Sequence, residues 1–211
     1  MALPLGVNLE SPPLAIFLFM PKFTEKERGY LVGLYYGDGY IYYDKSRHYT
    51  ISFFLNSIKD NDILNYLKKV LLKQGYNVFI NKDKRGNWFV IKLYSQELYN
   101  YLYNYELIKL NFETINFKIG FISGVIDAEG YIRKSTIEVI NTDLELLQTT
   151  QNILNELNIK SNLKKRIKSK KDKKDSYRLL VSTKIKTIKH NSQKVYRHYP
   201  AKAPSQQTNY P

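Results

Sequence analysis

The chain has 211 residues, enough for one ordinary domain or for two small halves sharing a core, and 43% of them are hydrophobic and 14% aromatic, which excludes a wholly disordered protein. Lysine and arginine number 33 against 19 acidic residues, a formal net charge of +14 that favours a polyanionic partner, nucleic acid above all. With no cysteine there is neither a disulfide nor a thiolate metal site, and the apolar run 14–20 is too short to span a bilayer, so we expect no membrane partner and an intracellular protein, its compartment (cytoplasm, nucleoid or organelle) undecided.

Residues 1–22 contain Pro4, Pro12, Pro13 and Pro21 and read as an N-terminal extension. Thr24 and Glu27 have capping-box spacing, and Tyr30, Leu31, Leu34 and Tyr35 then recur at helical intervals, predicting a helix from about 25 to 37 with Gly39 past its end. YIYYD and HYTISFFLN, joined by a polar turn at 45–47, predict a hairpin. Ile63, Leu64, Leu67, Val70 and Leu71 form the apolar stripe of a helix ending at Gly75. VFINKDKRGNWFVIKLY gives a second hairpin turning near Gly86, and Ser95 caps a helix reaching about Tyr105.

From Phe112 the order starts again. A helix runs to Ala128 and stops at Gly130, YIRKSTIEVIN supplies two short strands, Asp143 caps a helix through Leu157, and LKKRIKSKKDKKDSYRLLVST reads as a hairpin. The internal period is 91 residues from Asp38 to Glu129, too long for a solenoid and suited to a duplicated half-domain. The expected organisation is an extension at 1–22, a first half at 23–110, a second half at 111–187 and a disordered or weakly ordered tail at 188–211, where no stripe matches the first copy's last helix.

Two segments carry the chemistry, LVGLYYGDG at 31–39 and ISGVIDAEG at 122–130. Gly33 and Gly37, like Gly124 and Ala128, lie four apart and give each helix a face of small residues that lets two backbones approach. Asp38 and Glu129 fall in the last helical turn, where the macrodipole disfavours an anion. If the helices pack through their small faces the carboxylates converge, and hard divalent cations such as Mg²⁺ or Mn²⁺ would relieve the repulsion. Two such ions about 4 Å apart can activate water and stabilise the leaving oxygen in phosphodiester hydrolysis. One such motif is an ordinary helix end; two, each followed by a hairpin and an amphipathic helix, point to a site.

Both segments resemble the LAGLIDADG motif of homing endonucleases, through Leu31, Gly33, Leu34, Asp38 and Gly39 in the first and Gly124, Ile126, Asp127, Ala128 and Gly130 in the second. The similarity spans about residues 24–183 and fits the single-chain, two-motif, monomeric type. It implies an α+β fold of two pseudo-symmetric αββαββ half-domains, the motif helices at their interface and two antiparallel sheets forming a DNA-binding saddle. It further implies site-specific, intron-encoded double-strand cleavage with metal held by Asp38, Glu129 and the carbonyls of Gly37 and Ala128. Asn56 and Asn141 match the polar strand-end residue that the family places near the attacking water. Tyr36 stands where Asp127 stands in the second copy, so that position is no shared ligand.

The hairpin at 162–182 places Asn162, Lys164, Arg166 and Lys168 on one face against Leu163 and Ile167 on the other, with Lys170, Lys171, Lys173 and Lys174 at its turn and Arg178 on its return strand. Such a ribbon fits the major groove of double-stranded DNA. Lys45, Arg47, Lys82, Lys84, Arg85 and Lys92 form a less basic counterpart in the first half, joined by Tyr40, Tyr42 and Tyr43, which implies a long asymmetric target; Arg133 or Lys134 could serve as the basic residue beside the second motif. His48, His190 and His198 show no ligand or triad spacing. The alternatives are an RNA maturase, with intron RNA as partner, and a DNA-binding protein of the same fold that does not cut. A place inside an intein, suggested by His190, Asn191 and Ser192, lacks the splicing nucleophile near the start.

Overall fold

The computed structural model describes residues 23–44, 48–83, 86–133, 135–166 and 175–182. The extension 1–22, the tail 188–211, and Lys45, Arg47, Lys84, Arg85, Lys134, Lys168, Lys170, Lys171, Lys173, Lys174, His190 and His198 lie outside the described residues. Among the described residues no helix is long and apolar enough to cross a membrane.

The first half runs α1 (Glu25–Asp38), β1 (Gly39–Tyr43), β2 (Tyr49–Asn56), α2 (Asn61–Lys73), β3 (Phe79–Lys82), β4 (Trp88–Tyr94) and α3 (Gln96–Tyr103). After a 3-10 turn at Leu107–Phe112, the second half repeats the order as α4 (Ile115–Glu129), β5 (Gly130–Ile132), β6 (Thr136–Asn141), α5 (Leu144–Glu156), β7 (Ser161–Lys165) and β8 (Tyr177–Ser182). Each half forms a four-stranded antiparallel sheet, ordered β1-β2-β4-β3 and β5-β6-β8-β7. The fold is α+β, two αββαββ units around one continuous core, as the duplicated pattern predicts.

Local chemistry sets the boundaries. The Thr24 and Glu27 capping box forms, and Ser95 and Asp143 accept the expected backbone N–H bonds of α3 and α5. α4 starts three residues later than the apolar run at Phe112 suggests: Thr114 accepts from the Phe117 N–H, fixing the cap, and 107–112 tightens into the 3-10 turn. α3 stops at Tyr103, short of Tyr105, where the Asn104 N–H closes the last turn. Gly75 takes φ +82 after α2, the left-handed conformation that glycine adopts without strain.

Alternation along the strands decides what meets the core. Ile51, Phe53, Leu55, Ile91 and Leu93 point inward from the first sheet, and Ile137, Val139, Leu179 and Val181 from the second, all at most 2% exposed. The amphipathic α2 and α5 cover these faces with Ile63, Leu67, Val70 and Leu71, and with Leu146, Leu147, Ile153 and Leu154. α1 and α4 differ in kind: residues 29–34 of α1 are buried without interruption, as suits helices enclosed on all sides.

Candidate functional site

α1 and α4 lie side by side in parallel with their backbones touching. A Cβ added at Gly29 would sit 2.0 Å from the Phe117 carbonyl oxygen, one at Gly33 2.1 Å from that of Phe121, and one at Gly37 2.3 Å from the Ala128 Cβ. Reciprocally, Gly120 meets the Lys26 carbonyl oxygen at 2.1 Å and Gly124 that of Tyr30 at 2.2 Å. Every contact advances in the same direction along both helices, so both C-termini arrive at one end. The small face is therefore three residues deep on each helix, Gly29, Gly33 and Gly37 against Gly120, Gly124 and Ala128; the four-residue spacing that marks two of each extends back one step to the third.

Gly39 and Gly130 follow the acids in extended conformation, φ −90 and −83, and not as left-handed caps. Glycine is needed there for closeness: a Cβ at Gly39 would lie 2.5 Å from the Tyr35 Cα and one at Gly130 2.3 Å from the Ile126 carbonyl oxygen. The chain can thus pass from helix to strand in a single residue, which sets Asp38 and Glu129 at the two helix–strand junctions.

Burial pushes the Asp38 carboxyl up to about 6, and the charge of Asp60 adds to the shift. Burial likewise raises Glu129 to about 7, aided by the charge of Asp38, while a hydrogen bond from Asn141 opposes the rise. That bond runs from the Asn141 amide Nδ2 to Glu129 Oε1 at 2.8 Å. Among the described residues no cation pairs with either acid, and neither helix has a basic residue in its last turn. The macrodipole and the mutual repulsion of the acids are thus left uncompensated. The Gly37 and Ala128 carbonyls belong to the last turns, where helix carbonyls lack partners in the helix and direct their lone pairs past its end.

The two asparagines part company. Asn141 shares the inward parity of Ile137 and Val139, so its side chain reaches Glu129. Asn56 shares the outward parity of Ser52 and Phe54, and its Oδ1 accepts from the Ile58 and Lys59 N–H groups, closing the turn into α2. By strand register Gly39 faces Phe53 and Gly130 faces Val139, so the first-half counterpart of Asn141 is Leu55. A one-residue offset moves a side chain to the opposite face of a sheet, and the expected equivalence of Asn56 and Asn141 fails on that offset.

Other positions resolve as follows. The Asp127 carboxylate accepts from the Tyr30 hydroxyl at 2.9 Å, a bond between the halves, and the Tyr36 hydroxyl donates to the Tyr105 carbonyl at 2.7 Å. Arg133 pairs with Glu138 at 2.7 Å on the second sheet. Lys92, Lys164, Arg166 and Arg178 lie on the outer faces, which no described helix covers. Lys82 alternates with the inward Ile80 and stands at the exposed rim of the helix-covered face, apart from Lys92. Tyr40 and Tyr42 are exposed on the first outer face, whereas Tyr43 packs on Tyr49 with ring centroids 4.7 Å apart. His48 pairs with Asp44. The residues that sequence reading missed are Asp60, visible only as a neighbour of Asp38 in space, and Glu138, an acid between two core residues of a strand.

Residues 116–192 match the LAGLIDADG-like domain family. The chain is 31% identical over 143 residues to an uncharacterized protein of Methanocaldococcus jannaschii, covering 65% of this chain and 51% of the other, so it spans about half the length of that curated relative. Among solved structures it resembles the homing endonuclease I-DmoI in complex with DNA and Mn, with TM-score 0.58, 21% identity and coverage of 75% of this chain and 90% of that one. It also resembles full-length WhiA from Thermotoga maritima, with TM-score 0.55, 20% identity and coverage of 78% and 54%. At such identity the structural likenesses establish the fold. The family match thus covers residues 116–192, and the fold of the described residues is the one these LAGLIDADG structures share.

Proposed function

We propose that this protein is a site-specific endonuclease that hydrolyses phosphodiesters in double-stranded DNA, with a hard divalent cation, Mg²⁺ or Mn²⁺, as cofactor. The observation that carries the reading is the convergence of Asp38 and Glu129 at one end of two parallel helices, both raised well above ordinary carboxylate values with no described cation between them. A cation is what such a pair lacks. Among the described residues no cluster of three or more His, Cys, Asp or Glu side chains could hold a metal, so the donors are the two acids and the carbonyls of Gly37 and Ala128, all oxygen. An oxygen set of that size suits a hard ion that keeps part of its water shell. When bound, such an ion neutralises charge on the scissile phosphate and lowers the pKa of water at the site.

The chain's own residues then have separable tasks. Asp38 and Glu129 hold the cation, one from each half. Asn141 fixes the orientation of the Glu129 carboxylate and keeps it ionised more readily than burial alone would allow. The outer faces of the two sheets hold the duplex, with Lys92 in the first half and Arg133, Lys164, Arg166 and Arg178 in the second. Both acids lie on one chain, so the protein acts as a monomer of two halves, 23–110 and 111–187, on an asymmetric target.

The DNA and Mn complexes of I-DmoI, which share this fold, support the reading. WhiA shares the fold too, so cleavage does not follow from the fold, and a DNA-binding protein that does not cut is the second reading. The test is to select bound duplexes from a randomised pool in EDTA, clone them into plasmids and add Mg²⁺. Metal-dependent linearisation is expected. Plasmids bound but left intact in both Mg²⁺ and Mn²⁺ would favour the non-cleaving reading, and preferential retention of structured RNA over duplex DNA would favour a maturase.

A further inference from the structure

Glu138 is an anomaly on the outer face of the second sheet. Its neighbours Ile137 and Val139 point into the core, so its side chain points the other way, toward the face that no described helix covers; yet it is 3% exposed. Two arginines cover it. Arg133 Nη2 lies 2.7 Å from Oε2 and Arg178 Nε lies 2.6 Å from Oε1, so each carboxylate oxygen takes one guanidinium. Arg133 also stands over the Tyr131 ring, 5.8 Å from its centroid. Both arginines keep an open side, their side chains being 59% and 39% exposed.

The fold does not require this trio. By register, Tyr40 faces Ser52 as Tyr131 faces Glu138, and Phe54 faces Val90 as Ile140 faces Arg178. The first half therefore builds the same sheet with Tyr42, Ser52 and Val90 where the second has Arg133, Glu138 and Arg178. Nor does attraction to phosphate account for it, since a carboxylate on the outer face of a protein of charge +14 cancels attraction that two free arginines would supply. What a carboxylate between two guanidiniums does supply is restraint: ion pairing narrows where each fork can lie before any ligand arrives. The Arg178 contact is an ion pair at Nε, short but without hydrogen-bond geometry, and it leaves the edge with the two terminal nitrogens able to meet two acceptors at once.

We infer that Glu138 is a positioning residue that holds Arg133 and Arg178 as a preset pair of forks for guanine edges in the major groove, making the second half the stricter reader of the target. The inference rests on the duplex-DNA reading above. Guanine alone presents two acceptors, O6 and N7, side by side on that edge. Around the trio, Asn162 and Lys164 on β7 extend the same polar face, whereas the first sheet shows Tyr40, Tyr42, Phe54, Trp88 and Tyr94 on its outer side, groups with little capacity for such readout.

The experiment is selection of duplexes from a randomised pool by the full chain in EDTA, comparing wild type with Glu138→Gln, Arg133→Lys and Arg178→Lys. Wild type should enrich guanines at two positions in one half of the site. Glu138→Gln should lose roughly tenfold of that preference at both positions, leave the other half-site unchanged, and bind unrelated DNA more tightly with a steeper salt dependence, because an anion has gone and two arginines are released. Each Arg→Lys variant keeps charge and pairing with Glu138 but replaces a planar fork with a single ammonium, so the preference for one guanine should weaken, which tests the inference even if Glu138→Gln folds poorly. An unchanged guanine preference in the lysine variants, or a Glu138→Gln protein that only melts earlier while selecting the same site, would overturn it. A wild-type protein that enriches no duplex sequence would overturn the duplex-DNA reading itself, and this inference with it.

Discussion

Glu129 has a carboxyl that keeps its proton to higher pH than usual, and its environment says why: burial and the nearby Asp38, against a single opposing hydrogen bond from Asn141. Because its folded value, about 7, exceeds its ordinary 4.5, the folded chain binds more protons than the unfolded one across that interval, and metal-free stability falls as pH rises from about 4.5 to 7. Asp38 acts in the same direction between 3.8 and about 6. Glu129→Gln removes the charged form, so the metal-free variant should be more stable than wild type at pH 8, by about 1 kcal/mol once solvent screening of a part-exposed group is allowed for, with the gap closing near pH 4. Thermal melts in EDTA across that range check it; parallel wild-type and variant curves would refute it. Asn141→Ala should move the acid limb of the cleavage-rate profile to higher pH, because Glu129 loses the bond that favours its ionised form. At this scale the placement of the two acids at neighbouring helix ends was legible because they occur twice at the same offset. The pairing of Asn56 with Asn141 was misread because residue type at a strand end does not reveal which face a side chain takes, and Glu138 was passed over because its partners come from β8 and the β5–β6 turn.

At the scale of elements, the account depends on two helices whose backbones touch. A methyl group at Gly124 would lie 2.2 Å from a carbonyl oxygen that belongs to a fixed helix, so Gly124→Ala must push α1 and α4 apart. We expect it to destabilise by about 3 kcal/mol or more, at the level of severe overpacking, and to cut DNA cleavage more than DNA binding, since separation of the helices separates the acids. Gly75→Ala is the control: no described residue lies within 4 Å, and only the left-handed backbone, φ +82, opposes the side chain, at about 1 kcal/mol. Chemical denaturation of both variants gives the comparison; similar losses would show that the close approach is not what holds the helices. The order of elements was legible nearly to the residue, because caps at Thr24, Ser95 and Asp143 and the 3.6-residue stripes of α2 and α5 are local signals. The start of α4 was not, because the run from Phe112 stays apolar while the boundary is set by one threonine hydroxyl. The parallel direction of α1 and α4 followed from no local feature; it emerges from which carbonyl each glycine meets.

For the whole molecule, duplication yields two similar frames with dissimilar outer surfaces, aromatic on the first sheet and arginine-bearing on the second. Binding that relies on lysine and arginine releases counterions from the duplex, so affinity should drop by orders of magnitude between about 50 and 200 mM salt if six or more phosphates are contacted. Titrations at several salt concentrations give that slope, and a slope near zero would place the contacts elsewhere than on the phosphates. The most direct test of the central claim, that Asp38 and Glu129 jointly hold the cation that cuts while other residues hold the DNA, is to measure binding and cleavage of one selected duplex by wild type, Asp38→Asn and Glu129→Gln. The account predicts cleavage slowed by roughly a thousandfold or more in each variant with affinity in EDTA nearly unchanged. Cleavage at the wild-type rate by either variant, or a loss of binding as large as the loss of cutting, would contradict it.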